Sequence, residues 1–482
     1  MYGHPVRVLN DPLNTTSTIY YQGNAVSYSN PLPVTLGENP VHIAEGSNTI
    51  GYVGINVNNS NVSNDNPFPV KIINSNLLVG KYTSNGALIT SVGNYTSKGI
   101  LKVSSPEILF FNTFQYGVET DIWESSLTNG GTATFNSDIS GITMQVTNQI
   151  GSQVIRQTRN TMTYIPGRTA ELTFAIRFTT PVAGIRRRIG LFNGIDGFYF
   201  EDNGGDYACA FINSDGSTPY IERVARANWN GDKLDGLGES KITADPEALQ
   251  IVSFEYEWYG GGQIVFKYII NGMSIVIHTF NTANRLRFPW SKTPFLPIRL
   301  EITNTTGVAG THSMYQGSNS LMCQGSTQKI GLSESVLTPL TGYNLALART
   351  FYPVINIRLK STALQGIVFP SYFQIGTLDN TNVFYKILRN ATIVGGSWVS
   401  PPDTNSFVEY NMTSTTAITD GIQLDAGYVA TGSGQRVELE KNTQYQLGRS
   451  SLGTISDTIT LAIASVNANK DAVACFTWVE QR

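Results

Sequence analysis

Glu255 and Glu257, separated only by Tyr256, are the acids in this sequence best spaced for chemistry. On a β-strand, residues i and i+2 share a face with Cα atoms about 6.6 Å apart, so their carboxyls could reach the roughly 5–5.5 Å separation used by retaining glycosidases. On the concave face of a sandwich such a pair would cleave a sugar chain. The same two acids, however, alternate with Val252, Phe254, Tyr256 and Trp258, the pattern of a solvated outer face over an apolar inner one. No third acid stands in the run to drive their pKa values apart. The sequence therefore favours a chain that is not an enzyme, with Glu255 and Glu257 as the catalytic candidates if it is one.

Other reactive residue types are weighed the same way. Arg186-Arg187-Arg188 is the densest charge run, but nucleic-acid binding asks for more cations interleaved with aromatics; the expectation is that these arginines are solvated, or paired with acids such as Glu201, Asp202 and Asp206. The Asn/Asp-Gly loops at 193–197, 213–216 and 230–236 carry oxygens, yet none has the ligand spacing of an EF-hand, and such turns fold without metal. His4, His42, His278 and His312 stand apart from acids and from each other. There is no Gly-x-Ser-x-Gly elbow, phosphate loop or dinucleotide fingerprint. No metal and no cofactor are expected. Six tryptophans could stack on sugar faces; Trp229, inside Asn228-Trp229-Asn230-Gly231, is the one expected at the surface and hence the carbohydrate-binding candidate.

The elements that must position these residues are strands. Val252 to Trp258, Ile264 to Tyr268 and Ser274 to Phe280 alternate with period two, Asn271-Gly272 supplies a type I′ hairpin turn, and Ile298 to Thr303 alternates once more, so the region reads as a β-meander. Strands are also expected at 142–146, 153–157, 172–178 and 188–192, separated by Gly-rich turns. Asp245-Pro246-Glu247-Ala248-Leu249 is the one plausible helical turn. The fold class is all-β: an N-terminal repeat-like β region followed by two antiparallel, jelly-roll-like β-sandwiches.

Composition agrees. In 482 residues only 14% are charged, the net charge is −3, and 46 Gly, 23 Tyr and 22 Phe stock turns and cores. That balance gives no reason to expect nucleic acid or an anionic membrane as partner. Cys209, Cys323 and Cys475 are too few and too far apart for a disulfide framework. Neither a signal peptide nor an apolar run long enough to span a bilayer is present, so the expectation is a product of the cytoplasm without membrane insertion.

Residues 1–106 differ in texture. Pro5-Val6-Arg7-Val8, Pro33-Val34-Thr35-Leu36 and Pro69-Val70-Lys71-Ile72 repeat the form Pro-Val-x-aliphatic within an Asn- and Ser-rich background. Each unit offers one thin apolar stripe, so burial is expected from neighbouring repeats or from copies of the chain in a symmetric assembly. The expected domains are 1–106 for anchoring and assembly, 107–335 for a central sandwich and 336–482 for a C-terminal one.

The middle segment resembles structural proteins of tailed-bacteriophage virions, of fibre, spike or decoration type. The residues that carry the resemblance include Asp121-Ile-Trp-Glu-Ser125, Arg188-Ile-Gly-Leu-Phe192, Trp229-Asn-Gly-Asp-Lys-Leu-Asp-Gly236 and Leu296-Pro-Ile-Arg-Leu-Glu-Ile-Thr-Asn-Thr305. It covers about 110–310, and it implies a virion component such as a head decoration, tail or adaptor subunit, with other virion proteins as partners and no catalytic residues to carry over. A homotrimer is the favoured assembly. The alternative is a host-attachment protein that binds or cleaves a host surface glycan through Glu255 and Glu257 or a groove around Trp229.

Overall fold

The alternation of Leu172, Phe174, Ile176 and Phe178 with polar neighbours folds as expected: all four inward side chains are at most 1% exposed. Period two becomes strand throughout the computed structural model, which describes residues 105–214, 218–325, 331–430 and 445–481. Outside these ranges it describes short strands at Arg7–Leu9, Thr18–Tyr21, Asn24–Ala25, Asn56–Val57, Ser60–Asn61, Lys81–Tyr82, Leu88–Ile89 and Gln435–Glu438. The repeats at Pro33 and Pro69 lie outside the described residues. The chain divides into two compact units, Met1–Ser91 and Val92–Arg482. In the first, Arg7–Leu9 pairs antiparallel with Thr18–Tyr21. Among the described residues there is no α-helix, hence none long and apolar enough to cross a membrane.

The second unit holds two sandwiches. The strands of the central one are β1 (Pro106–Asn112), β2 (Trp123–Thr128), β3 (Thr132–Asn136), β4 (Gly141–Val146), β5 (Gln153–Thr158), β6 (Ala170–Arg177), β7 (Ile185–Phe192) and β8 (Asp196–Asn203). They continue as β9 (Asp206–Ser214), β10 (Pro219–Ala225), β11 (Gln250–Tyr256), β12 (Ile264–Ile270), β13 (Met273–Phe280), β14 (Ile298–Asn304) and β15 (His312–Gln324). One sheet runs β3-β4-β15-β6-β11-β12-β13 with β1 also on β15; the other runs β10-β9-β8-β7-β14-β5-β2.

The expected meander holds for three of its four strands. β11, β12 and β13 are hairpin neighbours, and Asn271 and Gly272 both take positive φ between β12 and β13, as a type I′ turn requires. The fourth, β14, crosses to the opposite sheet and inserts between β7 and β5. Alternation is the same in either sheet, so it cannot report which one a strand joins. Asp245 caps an isolated turn through the Glu247 amide (2.9 Å) rather than opening a helix; the only helical pieces described are short 3-10 turns at Ser137–Ile139 and Arg226–Asn228.

Between the sheets lies an aromatic core. The Phe198 ring packs within 5.1–6.2 Å of Tyr256, Phe254, Trp290 and Phe266. Each such side chain contributes about 1.5–3 kcal/mol on burial, an upper bound because unfolded chains are partly compact. The smaller C-terminal sandwich has its own core around Phe373, Phe476 and Trp478, and its two antiparallel sheets are joined through the strands Lys470–Gln481 and Thr458–Ser465 respectively. The two sandwiches are tied by the Arg159–Asp457 ion pair (2.6 Å) and by Gln446 Nε2 donating to the Thr161 carbonyl (3.0 Å).

Candidate functional site

The sequence-derived candidates are all enclosed, Glu255 on the face of β11 opposite the core residues Val252, Phe254 and Tyr256. Glu255 is 2% exposed on β11, and Lys267 from β12 donates to its Oε2. Glu257, 3% exposed just past β11, accepts from Thr169 Oγ1 at 2.5 Å. Each carboxylate is thus enclosed with its own donor, which corrects both the solvated face and the open sugar-cleaving pair. Trp229 is 6% exposed, its Nε1 donates to the Val224 carbonyl at 3.1 Å and its ring packs on Phe200. The 3-10 turn before it folds the indole under the end of the sandwich. The cavity it lines with Phe178, Tyr207 and Tyr268 is about 20 Å³, room for a single water and not for a sugar. Trp229 is therefore a core residue.

The Arg run is split by the pleat. On β7, Ile185, Arg187, Ile189 and Leu191 point into the core, so Arg186, Arg188, Gly190 and Phe192 point outward. Arg187 Nη1 donates to Asp202 Oδ2 at 2.6 Å with both side chains at most 1% exposed, a closed ion pair inside the sandwich. Arg188 stands in register with Glu201 on β8 and Glu301 on β14. Its Nε donates to Glu201 at 2.6 Å and its Nη1 to Glu301 at 3.4 Å. Of the two outcomes expected from the sequence, solvation or pairing, Arg187 and Arg188 take pairing, with Asp202 and Glu201.

From Arg188 a ladder runs across the seven-stranded sheet. On one side Arg223 of β10 donates to Glu201 at 2.7 Å and to Asp206 of β9 at 2.8 Å. On the other, Arg299 of β14 donates to Glu301 at 2.9 Å and to Gln157 of β5 at 3.3 Å, and Gln157 donates to Glu124 of β2 at 2.8 Å. Every strand of the sheet contributes one of these groups. The guanidinia also cover aromatic rings on the same face: Arg188 lies 4.5 Å from the Tyr199 ring centroid and Arg299 5.2 Å from that of Phe192. Gly190 sits between them because a Cβ there would come within 2.2 Å of the Phe198 carbonyl.

Exposure divides the ladder into a floor and a rim. Glu201, Glu301 and Arg299 are buried, whereas the side chains of Arg188 and Arg223 are 22% and 29% exposed and Asp206 is 54% exposed. The solvent-facing part is the β7–β10 half. Burial alone would raise the Glu201 pKa, but Arg188 and Arg223 outweigh it and hold the carboxyl below its ordinary value. Burial raises the Tyr199 phenol. Glu201 and Glu301 are separated by β7, which puts their Cα atoms about 9.6 Å apart at two strand spacings. A general acid needs a raised pKa, and Glu201 has the reverse. The arrangement is suited to presenting fixed hydrogen-bonding groups rather than to transferring a proton.

Arg299 and Glu301 are the site residues the sequence reading took only as strand members. Their signal was present in Ile298-Arg299-Leu300-Glu301-Ile302: alternate charges of opposite sign on a strand whose other face is wholly aliphatic. In the Asx-Gly loops at 193–197 and 230–236, side-chain oxygens are used on backbone amides. Asn193 Oδ1 accepts from the Ile195 and Asp196 amides at 3.1 and 2.9 Å, and Asp232 accepts from Leu234 and Ser240 at 2.8 and 2.7 Å. Among the described residues no group of three or more His, Cys, Asp or Glu is placed to hold a metal ion. His278 is buried, its Nδ1 accepting from the Asn230 amide at 3.3 Å.

No known family profile matches the chain, and no curated protein does. Solved structures do align with it. A mixed-linkage-glucan GH16 protein of Bacteroides ovatus is 11% identical over 44% of this chain and 100% of its own, with a TM-score of 0.31. A legume lectin-like domain from Entamoeba histolytica is 15% identical over 45% of this chain and 98% of its own, TM-score 0.27. The CBM2 module of the evolved Dit protein of Lactobacillus casei BL23 phage J-1 is 11% identical over 47% of this chain and 99% of its own, TM-score 0.31.

Proposed function

We propose that this chain is a polysaccharide-binding subunit of a bacteriophage virion, holding a glycan on the outward face of the seven-stranded sheet without cleaving it. The observation that carries the reading is the sheet-wide ladder in which guanidinium and carboxylate groups from β10, β9, β8, β7 and β14 pair in one unbroken run. Sugar hydroxyls donate and accept at once, so they match a surface offering both in fixed positions. Groups already locked by one another lose little entropy on binding. The depressed pKa of Glu201 supports binding over hydrolysis. The virion assignment is supported by the resemblance over residues 110–310, with the N-terminal repeats as attachment to the particle and a trimer as the assembly.

The test is calorimetric titration of the full chain with purified host-surface polysaccharides, alongside a reducing-end assay. We expect saturable binding and no new reducing ends. Arg223→Ala removes a charged donor from the rim and weakens binding about tenfold or more. Release of reducing ends would overturn the non-catalytic reading. Absence of binding to every host glycan would overturn the carbohydrate reading itself.

A further inference from the structure

Arg186 is the member of the outward face that the ladder does not use. It stands two positions from Arg188 on the same side of β7, in register with Asn203 on β8 and Thr303 on β14. Its Nε is enclosed and meets no acceptor, and none of the ion pairs on this face includes it. The nearby acids are committed elsewhere: Glu201 to Arg188 and Arg223, Glu301 to Arg188 and Arg299, Asp206 to Arg223. Glu124, the remaining acid of the ladder, lies three strands away on β2. Glu301 and Glu201 act on Arg186 only from beyond ion-pair contact, and burial together with Arg188 outweighs them, so this half-buried cation is incompletely compensated; an outer-face strand position does not require an arginine for folding.

The two cross-strand neighbours of Arg186 on the same face, Thr303 and Asn203, carry hydrogen-bond donors. Thr303 Oγ1 accepts from Gln153 Nε2 at 2.9 Å, which leaves the hydroxyl hydrogen to donate. Asn203 is exposed on the opposite side and offers an amide. Resting on the glycan reading above, we propose that Arg186, with Thr303 and Asn203, forms an anion subsite that takes the carboxylate of an acidic polysaccharide. A carboxylate matches the planar Nη1/Nη2 edge of a guanidinium, and with Nε enclosed that is the edge Arg186 offers.

The experiment uses the full chain and two probes that differ only in charge: polygalacturonate and its fully methyl-esterified form. Wild type should bind the acid form about tenfold or more tightly than the ester, a difference of about 1.4 kcal/mol. Arg186→Gln should lose that preference while keeping the affinity for the ester and the wild-type melting temperature; Arg186→Lys should retain part of it. Equal binding of both forms by wild type, or an intact preference in Arg186→Gln, overturns the anion subsite and leaves the glycan reading standing. If neither polymer binds, thermal melts with galacturonate against galactose decide. A stabilisation specific to galacturonate in wild type and absent in Arg186→Gln keeps the subsite, and the glycan reading is then decided separately by the host-polysaccharide titrations. No such stabilisation overturns the subsite.

Discussion

Asp202→Asn isolates the electrostatics of the sandwich interior, because the replacement keeps shape and one hydrogen bond while removing the charge opposite Arg187. In the native protein Arg187 Nη1 and Asp202 Oδ2 are 2.6 Å apart with side chains 1% and 0% exposed, so neither charge can turn to water. Asp202 Oδ1 accepts from the Gly205 amide at 2.8 Å, a bond asparagine can keep. Breaking a buried pair by neutralising one partner costs about 3–5 kcal/mol. Arg187 retains neutral acceptors in the Ser313 carbonyl (3.2 Å), Thr179 Oγ1 (3.1 Å) and the Thr180 carbonyl (3.3 Å), which places the loss near the lower end. For a sandwich of this size, about 3 kcal/mol lowers the melting temperature by roughly 6–12 °C. Scanning calorimetry and urea titration of the central-sandwich transition would measure it. Replacing both residues by apolar ones, Arg187→Met with Asp202→Leu, should return stability to within about 1 kcal/mol of wild type. The reasoning is refuted if Asp202→Asn alone shifts stability by under about 1 kcal/mol, or if the double variant is as unstable as the single one.

Three further outcomes are expected. Burial lowers the His278 pKa to about 4, so the unfolded chain binds the proton more readily than the folded one; stability present above pH 6.5 should be lost as pH falls toward 4. That loss is at most about 2 kcal/mol after solvent screening, and melts of His278→Gln should show a shallower slope over this window. Cys209 and Cys323 are buried, with thiol pKa values raised by desolvation, whereas Cys475 is half-buried; a thiol reagent should label Cys475 alone in the native protein and all three in urea. Removing Met1–Ser91 should leave Val92–Arg482 with an unchanged β-type circular dichroism spectrum and melting curve but unable to occupy particles, and full occupancy without it would reject the anchoring role.

Much of the fold was legible in the chain because period two is a local property. The run Leu172 to Phe178 and the turn Asn271-Gly272 declare strand and hairpin from side-chain sequence and positive φ alone, and the structure places them so. The strands β8, β9 and β10 were harder to read: Asn203-Gly204-Gly205 marked the turn between β8 and β9, but nothing in the spacing placed Glu201, Asp202 and Asp206 on strands. They are strand residues whose partners, Arg187, Arg188 and Arg223, come from neighbouring strands.

What the sequence by itself determined is that the chain makes sheets, where several strands begin and turn, and that Glu201, Asp202 and Asp206 were candidate partners for the run of three arginines. Which face each arginine takes followed only from tertiary structure. Alternation says that Arg187 opposes its neighbours; it does not say which side is the core, and β14 had to cross sheets to set Glu301 beside Arg188. The same dependence removed Glu255, Glu257 and Trp229 from the surface. Their burial is decided by what packs over them, such as Lys267, Thr169 and the Phe200 ring, brought close by strand pairing and sheet packing and not by spacing along the chain.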